Sequence, residues 1–185
     1  MKKLKNHEFF VFGYFGYVST QLDGQTIKTR NVYDLIKSKE EQIGNVTYFD
    51  TELFQKSKFS VFTLLWKLVK SNQLIYLPAQ NNLKIIFPVI YFLSVVFKLK
   101  IHYFVVGGWL SEFIANKQLH RFMLKRIAGI HTETIRLKNE LEQNYHFNNV
   151  DVFPNFRFFD YCPTIHHKPN ILNLVFMARV NKMKG

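Results

Sequence analysis

Short apolar runs alternate with amphipathic stretches along most of this chain, and that alternation limits the fold more than any single motif. Phe9-Phe10-Val11-Phe12 reads as a strand buried on both sides, and a turn with Gly13, Gly16 and Gly24 follows it. Gln25-Thr26-Ile27-Lys28-Thr29-Arg30 then opens a helix that continues through Val32, Leu35 and Ile36. Residues 46–50 read as a second strand with an acidic end. Residues 58–70 read as a helix with Val61, Phe62, Leu64, Leu65, Leu68 and Val69 on a broad apolar side. Further strands are expected at 74–77, closed by Pro78, at 101–106, closed by Gly107-Gly108, around Ile130, and at 150–153. Of the helices between them, one is expected to be capped by Asn81 and Asn82 and to run through Phe87, Ile90, Leu93, Val96 and Phe97, another to be capped by Ser111 and run as far as Arg126, with a last one over 133–145. Strands separated by helices pair in parallel, because each crossover carries the chain back to the same end of the sheet. The expectation is an α/β fold: a Rossmann-like parallel sheet with helices on both faces and ligands at the carboxyl ends of its strands.

Residues 85–97 are almost wholly apolar. A membrane span needs about 20 such residues, whereas this run contains Pro88 and stops at Lys98 and Lys100. A helix buried against the sheet is the expectation. The charged first residues and the short apolar run behind them do not make a signal peptide. Cys162 is the single cysteine, so no internal disulfide and no four-cysteine metal site can form, which fits a reducing interior. The net charge of +12 favours polyanionic partners: nucleic acid, phosphorylated ligands or an anionic membrane. No RNA-binding aromatic signature or recognition-helix pattern is present, so nucleic acid is not expected as a partner.

The first strand, its glycine turn and the helix N-terminus can form an anion-receiving unit. Gly24 lets backbone approach a ligand, and Lys28 and Arg30 add mobile positive charge. The spacing is not G-x-G-x-x-G, and an ordinary first βα turn is the plain alternative. Lys117, Arg121 and Lys125 are spaced i, i+4, i+8 and read either as a solvated face or as a stripe resting on anionic lipid. Glu133 reads as an acidic residue at a helix N-terminus. His102 and His131 read as structural, and His166-His167 as loop residues, since adjacent side chains do not easily share a metal. From Pro154 the texture loosens. Residues 156–170 read as a linker, and 171–178 as one apolar strand followed by a basic turn, which is how a second α/β domain begins.

Four pieces carry a resemblance, in order. They are Gln21-Leu22-Asp23-Gly24-Gln25-Thr26-Ile27-Lys28-Thr29; Val105-Val106-Gly107-Gly108-Trp109-Leu110; Glu133 with Leu137 and Leu141, then 150–155 ending in Pro154-Asn155; and Phe176-Met177-Ala178-Arg179-Val180 with Lys184-Gly185. Together the chain resembles the amino-terminal half of a retaining glycosyltransferase of family 4, with the GT-B fold of two facing Rossmann-like domains. The resemblance implies an acceptor-side domain at 1–155, a linker at 156–170, and the first strand and turn of a nucleotide-sugar domain at 171–185. It implies transfer of a sugar from a nucleotide-sugar donor to a glycan or lipid-linked acceptor in surface polysaccharide synthesis. Arg179 and Lys184 would neutralise the donor diphosphate without a metal, and no cofactor is expected. Gly24, Gln25, Lys28 and Thr29 would face the cleft, and Gly107, Gly108 and Trp109 would lie on the acceptor side. The family's Glu-x7-Glu signature does not occur in these residues, so these residues alone are expected to be inactive. The implied location is cytoplasmic, peripheral on the inner face of the membrane. The alternative is a non-catalytic basic α/β module that docks an anionic membrane or other polyanion.

Overall fold

The computed structural model describes residues 7–20, 22–57 and 59–158. The linker beyond Phe158, the strand expected at 171–178, Cys162, His166, His167, Arg179 and Lys184 lie outside the described residues.

The elements run β1 (Phe9–Gly13), α1 (Gly24–Lys37), α2 (Glu40–Ile43), β2 (Val46–Asp50), α3 (Leu53–Lys56), α4 (Ser60–Lys70) and β3 (Gln73–Leu77). They continue with α5 (Gln80–Ile85), α6 (Phe87–Phe97), β4 (Lys100–Phe104), α7 (Leu110–Ala115), α8 (Gln118–Leu124), β5 (Gly129–Thr132), α9 (Ile135–Tyr145) and β6 (Val150–Val152). The six strands form one sheet in the order β2-β1-β3-β4-β5-β6, and every neighbouring pair is parallel. The fold is a Rossmann-like α/β sheet flanked by helices.

The helices are divided unequally between the faces, and the strand order explains why. Parallel crossovers are right-handed. The step from β1 to β2 runs one way along the sheet, and every later step runs the other way. One face therefore receives α1, with Val32 packed on Val11, Ile75, Leu77 and Phe104. The opposite face receives the helices after β2: Leu64 and Leu68 of α4, Phe87 and Ile90 of α6, Met123 and Leu124 of α8, and Leu137 and Leu141 of α9 pack on Phe10, Phe12, Tyr76, Tyr103 and Ile130. On the α1 face, β4 and β5 are covered by aromatic side chains after β6. Phe153 meets Phe104 edge-on at 5.0 Å between ring centres, and Phe156 meets Phe153 at 5.5 Å.

Four helix expectations need correction. Asn81 and Asn82 do not cap; they lie inside α5, which starts after Ala79. The long helix expected through Phe97 breaks near Pro88, whose ring fits only the first turn of a new helix, and α6 begins there. Ser111 does not cap either: α7 starts after Trp109 and ends at Ala115, and α8 is a separate helix after Lys117. The helix expected over 133–145 starts two residues later, because the Thr134 hydroxyl accepts the Leu137 amide at 3.2 Å and Glu133 stays outside it. α6 packs against the sheet as expected, through Phe87, Ile90 and Ser94, and leaves its outer side in solvent. Among the described residues no helix is long and apolar enough to cross a membrane.

Candidate functional site

The winding reverses between β1 and β3, and open parallel sheets bind ligands beside the carboxyl ends of the strands at such a reversal. Gly13 ends β1 there. A Cβ on Gly13 would stand 2.9 Å from the Thr29 methyl and 3.2 Å from Leu77 Cβ, so only glycine lets α1 lie this close to the strand end.

The turn after β1 is held on both sides. The Asp50 carboxylate accepts the Phe15 amide at 3.1 Å and the Tyr17 amide at 3.3 Å, and Glu52 accepts the Val18 amide at 3.0 Å. From α1, Arg30 donates to the Phe15 and Gly16 carbonyls at 2.8 and 2.9 Å and lies over the Tyr17 ring at 4.8 Å. Arg30 is thus a structural clamp and not mobile charge. At the head of α1, the Asp23 carboxylate accepts the Thr26 amide at 2.8 Å and the Thr26 hydroxyl accepts the Asp23 amide at 2.9 Å. That reciprocal cap places a carboxylate where the helix dipole would otherwise attract a ligand anion.

Lys28 is the centre of the site, and it too departs from the expectation of a mobile cation. Its side chain is only 4% exposed. The ammonium donates to the Val105 carbonyl at 2.6 Å and to Glu133 Oε1 at 2.8 Å. Glu133 Oε2 accepts the Gly107 amide at 3.2 Å. Burial lowers the Lys28 pKa, and the Glu133 hydrogen bond and charge oppose that shift. One ion pair thus ties α1 to the turn after β4 and to the end of β5. Gly107 sits at φ +78, a left-handed conformation that favours glycine and aims its amide at Glu133.

Beside this tie lies a cleft of about 340 Å³ lined by Gly24, Ile27, Lys28, Asn31, Asn155, Phe156 and Arg157. Asn31 fixes one wall by donating to the Phe156 carbonyl at 2.8 Å. Arg157 is exposed, while Lys28 is already paired, so Arg157 is the lining cation available to an anion. Thr29 is fully buried against the sheet, and its hydroxyl oxygen has no hydrogen-bond partner among the described residues; the same holds for the Gln25 amide nitrogen.

The structure therefore brings together Gly24, Lys28, Val105, Gly107, Glu133 and Asn155, which come from four separate stretches of the sequence. Gly108 belongs to a second cleft with Thr134, Arg136 and Glu140. Trp109 folds back on its own turn, its indole N–H donating to the Val106 carbonyl at 2.7 Å, and packs edge-on against Phe113. Lys117 and Lys125 flank α8 and Arg121 lies within it, and the three sit over the rings of Phe113, Phe147 and Tyr145 respectively. Sequence reasoning missed Arg157 and the partner role of Glu133. Nothing local marks Arg157; for Glu133, its position after the β5 strand was the available signal. No group of metal-ligating side chains occurs among the described residues. Comparison of the chain with protein-family models and with curated proteins gives no match.

Proposed function

We propose that this chain is the acceptor-side part of a GT-B glycosyltransferase resembling family 4, which moves a sugar from a nucleotide-sugar to a glycan or lipid-linked acceptor. One observation carries the reading. Three of the four segments on which the resemblance rests meet at the carboxyl ends of the strands, where Lys28 joins Val105 and Glu133 and itself lines a cleft with Gly24 and Asn155. The cleft has the features such an acceptor needs. It is open, it has amide groups on two walls at Asn31 and Asn155, and Arg157 offers a planar pair of donors for a phosphate or carboxylate. Arg179 and Lys184 keep the donor-diphosphate role that the resemblance implies.

Equilibrium dialysis of the full chain tests this. The probes are a polyprenyl-phosphate-linked sugar in mild detergent and a panel of nucleoside diphosphate sugars. Saturable binding of at least one probe is expected. Arg157→Ala should weaken it about tenfold, as loss of a charge-assisted hydrogen bond does. No saturable binding, or binding untouched by Arg157→Ala, would count against the reading.

A second reading, a non-catalytic basic module that docks a membrane, is favoured by the apolar residues that the helices leave in solvent. It predicts vesicle binding and no binding of sugars.

A further inference from the structure

The helices on the larger side of the sheet turn an apolar surface outward. α6 contains no charged residue, and it leaves Val89, Phe92 and Val96 in solvent, Phe92 being 66% exposed. α4 buries Leu64 and Leu68 but exposes Phe62 at 69% and Trp66 at 57%, and Phe122 of α8 is exposed as well. α6 touches α8, and the inner sides of α4, α6 and α8 share one core cluster, so these residues lie on one side of the molecule. A helix apolar all round is normally covered all round. A broad apolar surface of this kind marks a place of interaction.

The charge around this surface selects the partner. Residues 53–128 carry eleven lysines and arginines against one acidic residue, Glu112. Lys70 lies 3.8 Å from the Trp66 ring centre and Arg126 lies 3.5 Å from that of Phe122, while Lys84 and Lys98 flank the two ends of α6. Aromatic rings with a cation at their edge suit the headgroup boundary of a bilayer, where the ring enters the acyl region and the cation reaches phosphate. A second copy of the chain would set two like-charged rims against each other. Nucleic acid would use the charge and leave Phe62, Phe92 and Val96 in water.

We propose that the face built from α4, α6 and α8 docks on an anionic phospholipid bilayer and inserts Phe62, Trp66 and Phe92 into its surface. The lysines and arginines at Lys117, Arg121 and Lys125 add to the attraction, and the apolar side chains supply the insertion. The proposal holds independently of sugar transfer.

The test is flotation of the full chain with phosphatidylglycerol–phosphatidylethanolamine vesicles and with phosphatidylcholine vesicles, together with Trp fluorescence in the presence of brominated lipid. Binding to the anionic vesicles alone is expected, weaker at high salt, with quenching that disappears in Trp66→Phe. The double variant Phe62→Ser/Phe92→Ser alters only exposed side chains; its fold is checked by circular dichroism. It should lose about tenfold or more in vesicle affinity, as removal of two inserted rings implies. Lys70→Gln/Lys84→Gln/Lys98→Gln should weaken binding and its salt dependence together. Absence of wild-type binding would overturn the proposal. So would binding that the phenylalanine variant leaves intact without quenching at Trp66, since that is adsorption by charge alone. A solution dimer that the same variant dissociates would assign the face to a second copy and also overturn it. Failure of the sugar-binding assay would leave every one of these outcomes unchanged.

Discussion

Glu133→Gln removes one charge from the tie at Lys28 and changes almost no volume. At 2.8 Å and an effective dielectric constant near 20, the direct attraction is about 6 kcal/mol. Desolvation of the two ions offsets much of that, but the lysine side chain, 4% exposed, has little water to turn to if its partner is neutralised. Glu133 is 17% exposed, so some water relaxes around it, and the expected loss of stability falls at the low end for a broken buried pair, about 3 kcal/mol. With an m-value of about 2 kcal/mol per molar, the urea midpoint should fall by about 1.5 M. Lys28→Met should cost less, about 2 kcal/mol, because the carboxylate it leaves keeps the Gly107 amide and some solvent. In the double variant no charge is stranded, so its loss should be smaller than the two single losses added, by about 1 kcal/mol or more. Urea unfolding followed by circular dichroism gives all three values. A loss below about 0.5 kcal/mol for Glu133→Gln, or strict additivity in the cycle, would refute the argument that this pair holds α1 to the β4 and β5 ends.

Two further outcomes are expected. His102 and His131 stack at 5.7 Å between ring centres, and burial lowers the pKa of both, with each held further down by a neighbouring positive group, Lys100 for His102 and His102 itself for His131. The unfolded chain therefore binds more protons below the ordinary histidine value of about 6.5, so stability is full above that pH and falls as pH drops through the lowered values. His131→Phe keeps a ring against Phe104 and removes one of the two groups, so the acid limb of stability against pH should become shallower; identical limbs would contradict this. Gly13→Ala should cost about 1–3 kcal/mol through its contact with the Thr29 methyl. Thr29→Ser deletes that methyl and should recover part of the loss, while no recovery would mean the penalty lies elsewhere.

The strands were legible because strands buried on both faces are unbroken apolar runs between turn residues; β2 has the bounds read from the sequence, and β1 and β3 lie within one residue of them. The helices were less so. Counting apolar positions gave α4 a broad buried side, yet only Leu64 and Leu68 reach the core, because one strip of a helix meets a sheet and the rest faces away. The same geometry hid the exposed side of α6, where a uniformly apolar sequence carries no periodicity to show which residues point outward. Sheet order also lay beyond the sequence, since a crossover of either direction has the same local pattern. The Lys28–Glu133 pair joins residues 105 positions apart; alone, Lys28 read as a mobile cation and Glu133 as a helix-start acid. Gly24, Gly107 and Asn155 stood out as turn residues, and their approach to one another depends on the long-range packing of α1 against β1 and β3.

The most direct measurement is an amide-resolved NMR titration of the full chain with the polyprenyl-phosphate-linked sugar and with nucleoside diphosphate sugars. Saturating shifts are expected to gather at Gly24, Ile27, Lys28, Asn155 and Arg157, which line the cleft. Saturating shifts confined to other parts of the sheet, or none with any probe, would contradict the proposed function.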